Sequence, residues 1–436
     1  MRPSSTISSS IGRRLFNGAT WSVLGTVFAQ VFLMGTTAVI SHLLSKSEFG
    51  SYMLIQTTTN TLGIVAGFGI GTLVTRYAAA LKEIDPPRLE RILTLGKLSV
   101  LGFGTLAMLG MFGLAGIIAT SMLNKPDLAD LLRLASGAVL FTTIDNYQKS
   151  VLIGFERFRD VAVVSVISAL SAAVVSILLT YLFETPGAAL ALAVSGLIQS
   201  TFSYVVLTKI LGEKKLQANR SDWRLERPLL VNFAFPALIA NLLVPGALWI
   251  SQAMLGRAPD GYAELALFGI AMQWFNALLF IPNIANKILT PLLAELTEKR
   301  SAKDLVQVIK CAFGTNLLLT TIIVIVFLGL DNFILQAYGR HYSDGHQVLA
   351  MIGGAAILAS LMNVPGNLLS AHSQMWLGSL MNFGWAAVYV TGSAIFTGLG
   401  WGARGLAVSL IVAYIAHFIW SSAWVIKKIK SGLVNH

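Results

Sequence analysis

Long apolar stretches separated by short polar loops repeat along the whole chain. Twelve of these stretches are long enough to cross a bilayer, which takes about 20 mostly apolar residues. They cover residues 18–44, 49–81, 93–121, 130–153, 161–183, 187–211, 229–255, 264–294, 304–330, 345–371, 376–399 and 404–426. The pattern therefore predicts an all-α, polytopic membrane protein with about 12 transmembrane helices.

The composition supports a membrane protein and argues against a soluble one. Of the 436 residues, 55% are hydrophobic and only 12% are charged, whereas soluble domains carry about 25% charged residues. The single cysteine, Cys311, excludes an internal disulfide and a cysteine-based metal cluster. The net charge of +11 would suggest nucleic acid in a soluble protein. Here the basic residues lie in short loops and no basic-aromatic module is present, so we expect no nucleic-acid partner.

The distribution of lysine and arginine predicts the orientation in the membrane. Cytoplasmic loops carry an excess of both residues. If both termini are cytoplasmic, most of the 31 basic residues fall on the cytoplasmic side. The outer side then holds only Lys46, Lys125, Arg133, Arg257, Arg340 and Arg404. The asymmetry indicates a multi-pass membrane protein with both termini in the cytoplasm.

The longest predicted cytoplasmic loop, residues 212–228, lies near the middle of the chain, with six spans on either side. Residues 71–83 and 286–298 also show a faint similarity at corresponding places in the two halves. Transporters commonly consist of two such repeats with a site between them. We therefore predict an N-terminal six-helix bundle (1–211), a linker (212–228) and a C-terminal six-helix bundle (229–436). The two bundles would be pseudo-symmetric around a central cavity.

The eighth span is unusually polar for a membrane helix. Between residues 266 and 293 its polar residues are Gln273, Asn276, Asn283, Asn286, Lys287 and Thr290, with Pro282 and Pro291 among them. Asn276, Asn283 and Lys287 fall on one stripe of a helix. Because a charged ammonium at membrane depth costs about 2.5–3.5 kcal/mol on insertion scales, the stripe predicts a bent helix that lines a wet chamber. Alternatively, the amides bond to neighbouring helices and Lys287 extends to the surface.

Three further ionisable residues lie within or at the end of predicted spans. Asp145 and Lys149 are four residues apart and can pair along one helix face. Asp145 is a candidate ion-coupling site, or else the counter-charge that makes Lys149 tolerable. Arg76 ends the second span, where it is either a ligand for an anion or an interfacial anchor.

Amides and tryptophans form the rest of the candidate cavity lining. The residues are Gln30, Gln56, Asn60, Asn241, Trp249, Gln252, Gln273, Trp274, Asn276, Asn283 and Asn286. Amides suit sugar hydroxyl groups, and the two tryptophans could stack on a sugar ring. Each residue could equally serve ordinary helix packing. Most of them lie in the first two spans of each half, where a cleft between the halves would be lined.

The sequence contains none of the common enzyme motifs. GxxxxGK[ST], HExxH and GxSxG are all absent. His341 and His346 share an outer loop without the ligand pattern of a zinc site. We therefore expect no enzymatic activity, no cofactor and no metal.

Three short motifs resemble the polysaccharide-biosynthesis membrane proteins, which are flippases for lipid-linked oligosaccharides such as O-antigen and exopolysaccharide units. They are GATWSVLGTVFAQ (18–30), HLLSKSEFGSYMLI (42–55) and LIGFERFRD (152–160). This family belongs to the superfamily that also contains multidrug exporters and lipid II flippases. The motifs mark the family and not the substrate.

The resemblance implies two six-helix bundles that form a V around a cationic cavity. It also implies transfer of a polyprenyl-pyrophosphate-linked sugar from the cytoplasmic to the outer leaflet by alternating access. Lipid II flippases carry arginines in the first helix for the pyrophosphate, but this chain has no arginine between Arg14 and Arg76. The candidates here are therefore Lys287, Arg76 and Lys149. The implied partners are the lipid-linked oligosaccharide, membrane lipid, a polysaccharide polymerase and glycosyltransferases.

Two other functions compete with a flippase. An ion-coupled exporter of cationic drugs would need a cavity dominated by carboxylates, and the membrane interior offers mainly Asp145. A membrane polysaccharide polymerase or ligase would favour a sizeable outer loop, and the longest one predicted here is short.

Overall fold

A computed structural model describes residues 4–217, 221–284, 286, 302–371 and 374–434. The helices are α1 (Ser4–Leu43), α2 (Lys46–Gly67), α3 (Ile70–Leu81), α4 (Pro86–Ile117), α5 (Leu128–Gly154), α6 (Phe158–Glu213), α7 (Phe235–Gly256), α8 (Gly261–Leu278), α9 (Ala302–Gly329), α10 (Asp331–Tyr338), α11 (His346–Ala371), α12 (Met375–Gly398) and α13 (Gly402–Val434). Short 3-10 or π turns lie at Ile118–Met122, Ser221–Glu226, Leu230–Ala234 and Arg340–Gly345. Within these ranges the chain forms no strand, which confirms the all-α prediction.

Helices occupy all twelve predicted spans as far as the described residues extend. By length and composition, 7 helices of the described chain could cross a membrane, or 8 if one bent pair counts as a single span. One of these candidates, Phe158–Glu213, has 56 residues and contains two of the predicted spans. The chain is therefore a polytopic helical membrane protein.

Helix α6 is interrupted where the sequence predicts the gap between the fifth and sixth spans. Glu184 has non-helical backbone angles, with φ 51° and ψ −134°, and Pro186 follows it. A Cβ atom on Gly187 would lie 1.8 Å from the carbonyl oxygen of Leu179. This close approach requires glycine, so the two halves of α6 are separate membrane helices joined by a tight turn.

The second predicted span, 49–81, is not one continuous helix. It breaks between α2 and α3, whose axes differ by 50°. At the break Gly69 has a φ of 69°, and a Cβ on it would lie 2.2 Å from the carbonyl oxygen of Ala234. Phe68 stacks on Phe103 with ring centroids 4.7 Å apart. The backbone of a distant segment therefore fixes the bend, which corrects the single-helix prediction.

The chain divides into two compact units. The first unit contains Met1–Leu44 and Ile55–Leu242, and the second contains Ser45–Leu54 and Leu243–His436. In the first unit, α5 packs against α4 and α6, and α1 packs against α6. In the second unit, α11 packs against α9 and α13, and α12 packs against α13. The basic segment 212–228 lies in the first unit.

The basic segment is tied to α4 by ion pairs. Glu226, which is buried, accepts hydrogen bonds from Nε and Nη2 of Arg91, both at 3.2 Å. Nε of Arg88 lies 3.4 Å from the same carboxylate. Upstream, the backbone N–H of Gln217 donates to Glu90 Oε1 at 2.8 Å. These contacts hold the segment against the end of a membrane helix.

We expect Glu226→Gln to loosen this segment, because it removes the charge that two arginines share. Charge-assisted hydrogen bonds contribute about 1.5–3 kcal/mol. Hydrogen exchange of residues 221–226 in detergent should therefore accelerate about tenfold, since tenfold corresponds to about 1.4 kcal/mol. Asp222→Asn is the matched control, because Asp222 lies 3.7 Å from Arg91 and is more exposed. Equal exchange in wild type and Glu226→Gln would contradict this assignment.

Candidate functional site

The polar eighth span is broken within the second unit. Helix α8 ends at Leu278, and the chain turns at Leu279 before residues 280–284 resume a helix. The backbone N–H of Asn283 donates to the Leu279 carbonyl oxygen at 2.9 Å. Pro282 therefore lies in the first turn of the new segment, where the missing N–H costs nothing. The helix is therefore interrupted at Leu279, three residues before the proline, and the bend of this span stays a prediction.

Two buried asparagines join the broken helix to α9. The side-chain amide of Asn286 donates to Asn316 Oδ1 at 3.0 Å, and Asn316 Nδ2 donates back to Asn286 Oδ1 at 3.3 Å. Asn286 Nδ2 also donates to the Pro282 carbonyl oxygen at 2.7 Å. Asn286 and Asn316 are 6% and 4% exposed. Such reciprocal amide bonds are typical of helix association inside membranes.

Two asparagines of α11 extend this network. Asn363 Nδ2 donates to Asn283 Oδ1 at 3.1 Å, and Asn367 Nδ2 donates to the backbone oxygen of Asn286 at 3.4 Å. Asn283 is exposed, unlike Asn286. We call Asn283, Asn286, Asn316, Asn363 and Asn367 the amide cluster. Because an exposed amide at membrane depth needs a polar partner, its Asn283 end is suited to water or a polar ligand.

The other polar residues of α8 differ in exposure. Gln273 Oε1 accepts a hydrogen bond of 2.8 Å from the Tyr338 hydroxyl group on α10. The ring of Trp274 lies 5.4 Å from that of Phe327, which is a packing contact. Asn276 is exposed. Asn276 and Asn283 are thus the amides of α8 and its continuation that the described structure leaves accessible.

An ion pair lies inside the first unit, on α5. Lys149 Nζ lies 2.7 Å from Asp145 Oδ2, and the Ser203 hydroxyl group donates to Asp145 Oδ1 at 2.5 Å. Asp145 is 4% exposed. A buried carboxylate is tolerated when it is paired and hydrogen-bonded. The contacts match the counter-charge alternative, and a role of Asp145 in ion coupling stays a prediction.

Arg76 lies on the exposed face of α3, stacked on aromatic rings. Its guanidinium carbon is 5.1 Å from the ring centroid of Phe233 and 6.0 Å from that of Tyr77. Cation–π contacts of this kind stabilise an arginine in one position. The first unit therefore presents an accessible and oriented positive charge.

The remaining predicted site residues differ in how deeply they are buried, as far as the structure describes them. Lys287 lies outside the described residues. In the first unit Gln30 and Gln56 are half-buried, and Asn60 and Asn241 are exposed; in the second unit Trp249 is half-buried and Gln252 is buried. Their assignment to a cavity stays a prediction. The sequence analysis did not identify Asn316 as a site residue. Its only signal in the sequence is that it is a lone amide within an apolar run.

A family model and two curated relatives match most of the chain. A family model described as "Polysaccharide biosynthesis protein" matches residues 15–297. The "EPS I polysaccharide export inner membrane protein EpsE" of Ralstonia nicotianae is 25% identical over 422 residues, which cover 94% of this chain and 92% of that protein. The "Lipid III flippase" of Escherichia coli is 26% identical over 297 residues, which cover 66% of this chain and 70% of that protein.

Solved structures of transporters share the fold. The inward-facing conformation of a multidrug resistance MATE family transporter of the MOP superfamily has a TM-score of 0.78 at 14% identity, and the match covers 94% of this chain and 99% of that one. A MOP superfamily transporter from Pyrococcus furiosus has a TM-score of 0.70 at 15% identity, with 96% of each chain covered.

We expect Asp145→Ala to destabilise the protein, because it leaves the Lys149 ammonium without its carboxylate. Breaking a buried pair costs about 3–5 kcal/mol, and the partial exposure of Lys149 reduces this loss. The double variant Asp145→Ala/Lys149→Met should recover most of the melting temperature in detergent. Asp130→Ala is the matched control, because its pair with Arg133 is exposed and should contribute about 0–1 kcal/mol.

Additive losses in the double variant would contradict the counter-charge assignment. A double variant that folds normally but whose transport no longer responds to an ion gradient would instead favour the coupling role.

Proposed function

Because the chain belongs to the polysaccharide biosynthesis protein family, we propose that it is a flippase for a polyprenyl-pyrophosphate-linked oligosaccharide. It is an inner-membrane transporter of polysaccharide biosynthesis, like the relatives whose names describe polysaccharide export and lipid III flipping. In the proposal, the substrate moves from the cytoplasmic to the outer leaflet by alternating access. Both termini are cytoplasmic, and glycosyltransferases and a polymerase act before and after the transfer.

The amide cluster is the observation that carries the proposal. A glycan presents many hydroxyl groups, and an amide side chain both donates and accepts hydrogen bonds. Asn283 is exposed at one end of the cluster, and Asn276 is exposed on the preceding helix. Amides bind sugars without the strong retention that a buried charge would impose, which suits a site that must also release its substrate.

The pyrophosphate requires cations, since charged donors form the strongest hydrogen bonds to phosphate oxygens. Of the three proposed ligands, Arg76 is exposed and held by aromatic rings. Lys149 already shares its charge with Asp145, so it is the weaker candidate. Lys287, on the amide-rich span, completes the proposed set.

An ion-coupled multidrug exporter is the second candidate, because the solved structures with the same fold include multidrug transporters. A cationic drug would need an available carboxylate. Asp145 is buried and engaged by Lys149 and Ser203. This arrangement favours the oligosaccharide substrate over a cationic one.

We expect Arg76→Gln and Lys287→Ala to slow translocation in reconstituted vesicles about tenfold each, because one charged contact to phosphate contributes about 1.5–3 kcal/mol. The assay follows a labelled lipid-linked oligosaccharide with a reagent that reaches only one leaflet. Lys427→Ala is the matched control, since Lys427 is an exposed cation near the end of α13. Transport at the wild-type rate in either variant removes that residue from the proposed site. Drug resistance on overexpression, without lipid transfer, would favour the exporter.

We expect Asn283→Leu to impair transport in proportion to the size of the glycan, because leucine keeps the volume but cannot bond to hydroxyl groups. The rate should fall several-fold for the complete oligosaccharide and little for a lipid that carries one sugar. Asn332→Leu, at an exposed position of α10, is the control. An equal loss with both lipids would argue against a glycan contact at Asn283.

A further inference from the structure

The first unit contains a cavity of about 420 Å³ between α4, α5 and the second half of α6. Its walls are formed by Lys97, Val100, Leu101, Ile144, Tyr147, Gln148, Tyr204, Leu207, Thr208, Leu211, Gly212 and Leu216. The volume is within the usual range of small-molecule sites, about 300–1,000 Å³. Asp145, Lys149 and Arg76 are not among the lining residues, so the cavity is separate from the proposed substrate contacts.

The cavity is mostly apolar with a small polar region. Lys97 supplies an ammonium group from α4, and Gln148 supplies an amide from α5. Gln148 is only 4% exposed, and its Oε1 has no hydrogen-bond partner among the described residues. A buried acceptor without a partner is costly, so an unpaired amide at a cavity wall indicates a missing donor.

The position of the cavity points to the lipid bilayer. Several lining residues, including Tyr204, Leu101 and Thr208, are exposed, so the cavity is open to the surroundings of the protein. The cavity also reaches Gly212, next to the end of α6. In the proposed orientation this end of α6 is cytoplasmic. In that orientation the opening would lie at the inner leaflet, within reach of acyl chains and headgroups.

We propose that this cavity binds an anionic lipid that carries a phosphate group. The Lys97 ammonium pairs with the phosphate, and a hydroxyl or amine of the headgroup donates to Gln148. The leucine-rich wall contacts the hydrocarbon chain. Basic pockets between membrane helices on the cytoplasmic side bind anionic headgroups by this combination of charge and apolar surface. The inference uses only the first unit and does not depend on which substrate is transported.

Native mass spectrometry of the full-length protein, titrated with phosphatidylglycerol in detergent, tests the proposal. Lys97→Gln and Gln148→Leu should each lower the fraction of lipid-bound protein, with an apparent affinity loss of about tenfold for Lys97→Gln. Thr208→Trp should block binding by filling the cavity. Lys209→Gln is the matched control, because Lys209 is an exposed cation beside the cavity that does not line it. Phosphatidylcholine, which has no net charge, should bind more weakly.

A second titration with polyprenyl phosphate distinguishes the source of the lipid. If phosphatidylglycerol is displaced by polyprenyl phosphate and the same variants weaken both, the cavity accepts the carrier lipid as well as membrane phospholipid. If only phosphatidylglycerol binds, the occupant is a bilayer lipid. Equal lipid binding by wild type, Lys97→Gln and Thr208→Trp, or equal binding of phosphatidylcholine, would overturn the proposal. Lipid binding is measured independently of the translocation assay. The lipid-site proposal can therefore fail while the flippase proposal holds, and the reverse.

Discussion

A polar group inside the bilayer must find its partner within the protein, because the hydrocarbon core contains no water to bond with it. The described structure meets this constraint in two ways. Asp145 is neutralised by Lys149 and bonded by Ser203. Asn286 and Asn316 exchange hydrogen bonds across two helices. Polar residues that are exposed within a predicted span, such as Asn283, are therefore the ones available for function.

Breaks in the helices are subject to the same constraint, because each break leaves backbone groups that need other partners. The break at Glu184 lies where two spans meet, and the turn at Leu279 precedes Pro282, whose nitrogen has no N–H and needs no acceptor. The bend at Gly69 lies within a span, where the carbonyl group of Ala234 approaches the glycine. Glycine and proline permit these geometries, and contacts with other segments determine which of them form.

The sequence was sufficient to predict the membrane class, the helical spans and the family, because these depend on apolar length and short motifs. The gap before Pro186 was predictable from the same pattern. The bend at Gly69 was not, since it depends on Ala234, more than 160 residues away along the chain. For the candidate site, the sequence identified Asn283 and Asn286 as polar residues in an apolar span. It did not identify Asn316 or the pairing of each amide, because hydrogen-bond partners across helices depend on packing.

The attachment of Glu226 to Arg91 and Arg88 has a consequence for how the polypeptide can be divided. A gene split between Gln217 and Ser221 would place Glu226 on the C-terminal fragment and its arginines on the N-terminal one. The same fragment would also carry residues up to Leu242, which belong to the first unit. We expect two such fragments made together to associate through this docking, without a covalent link between Gln217 and Ser221.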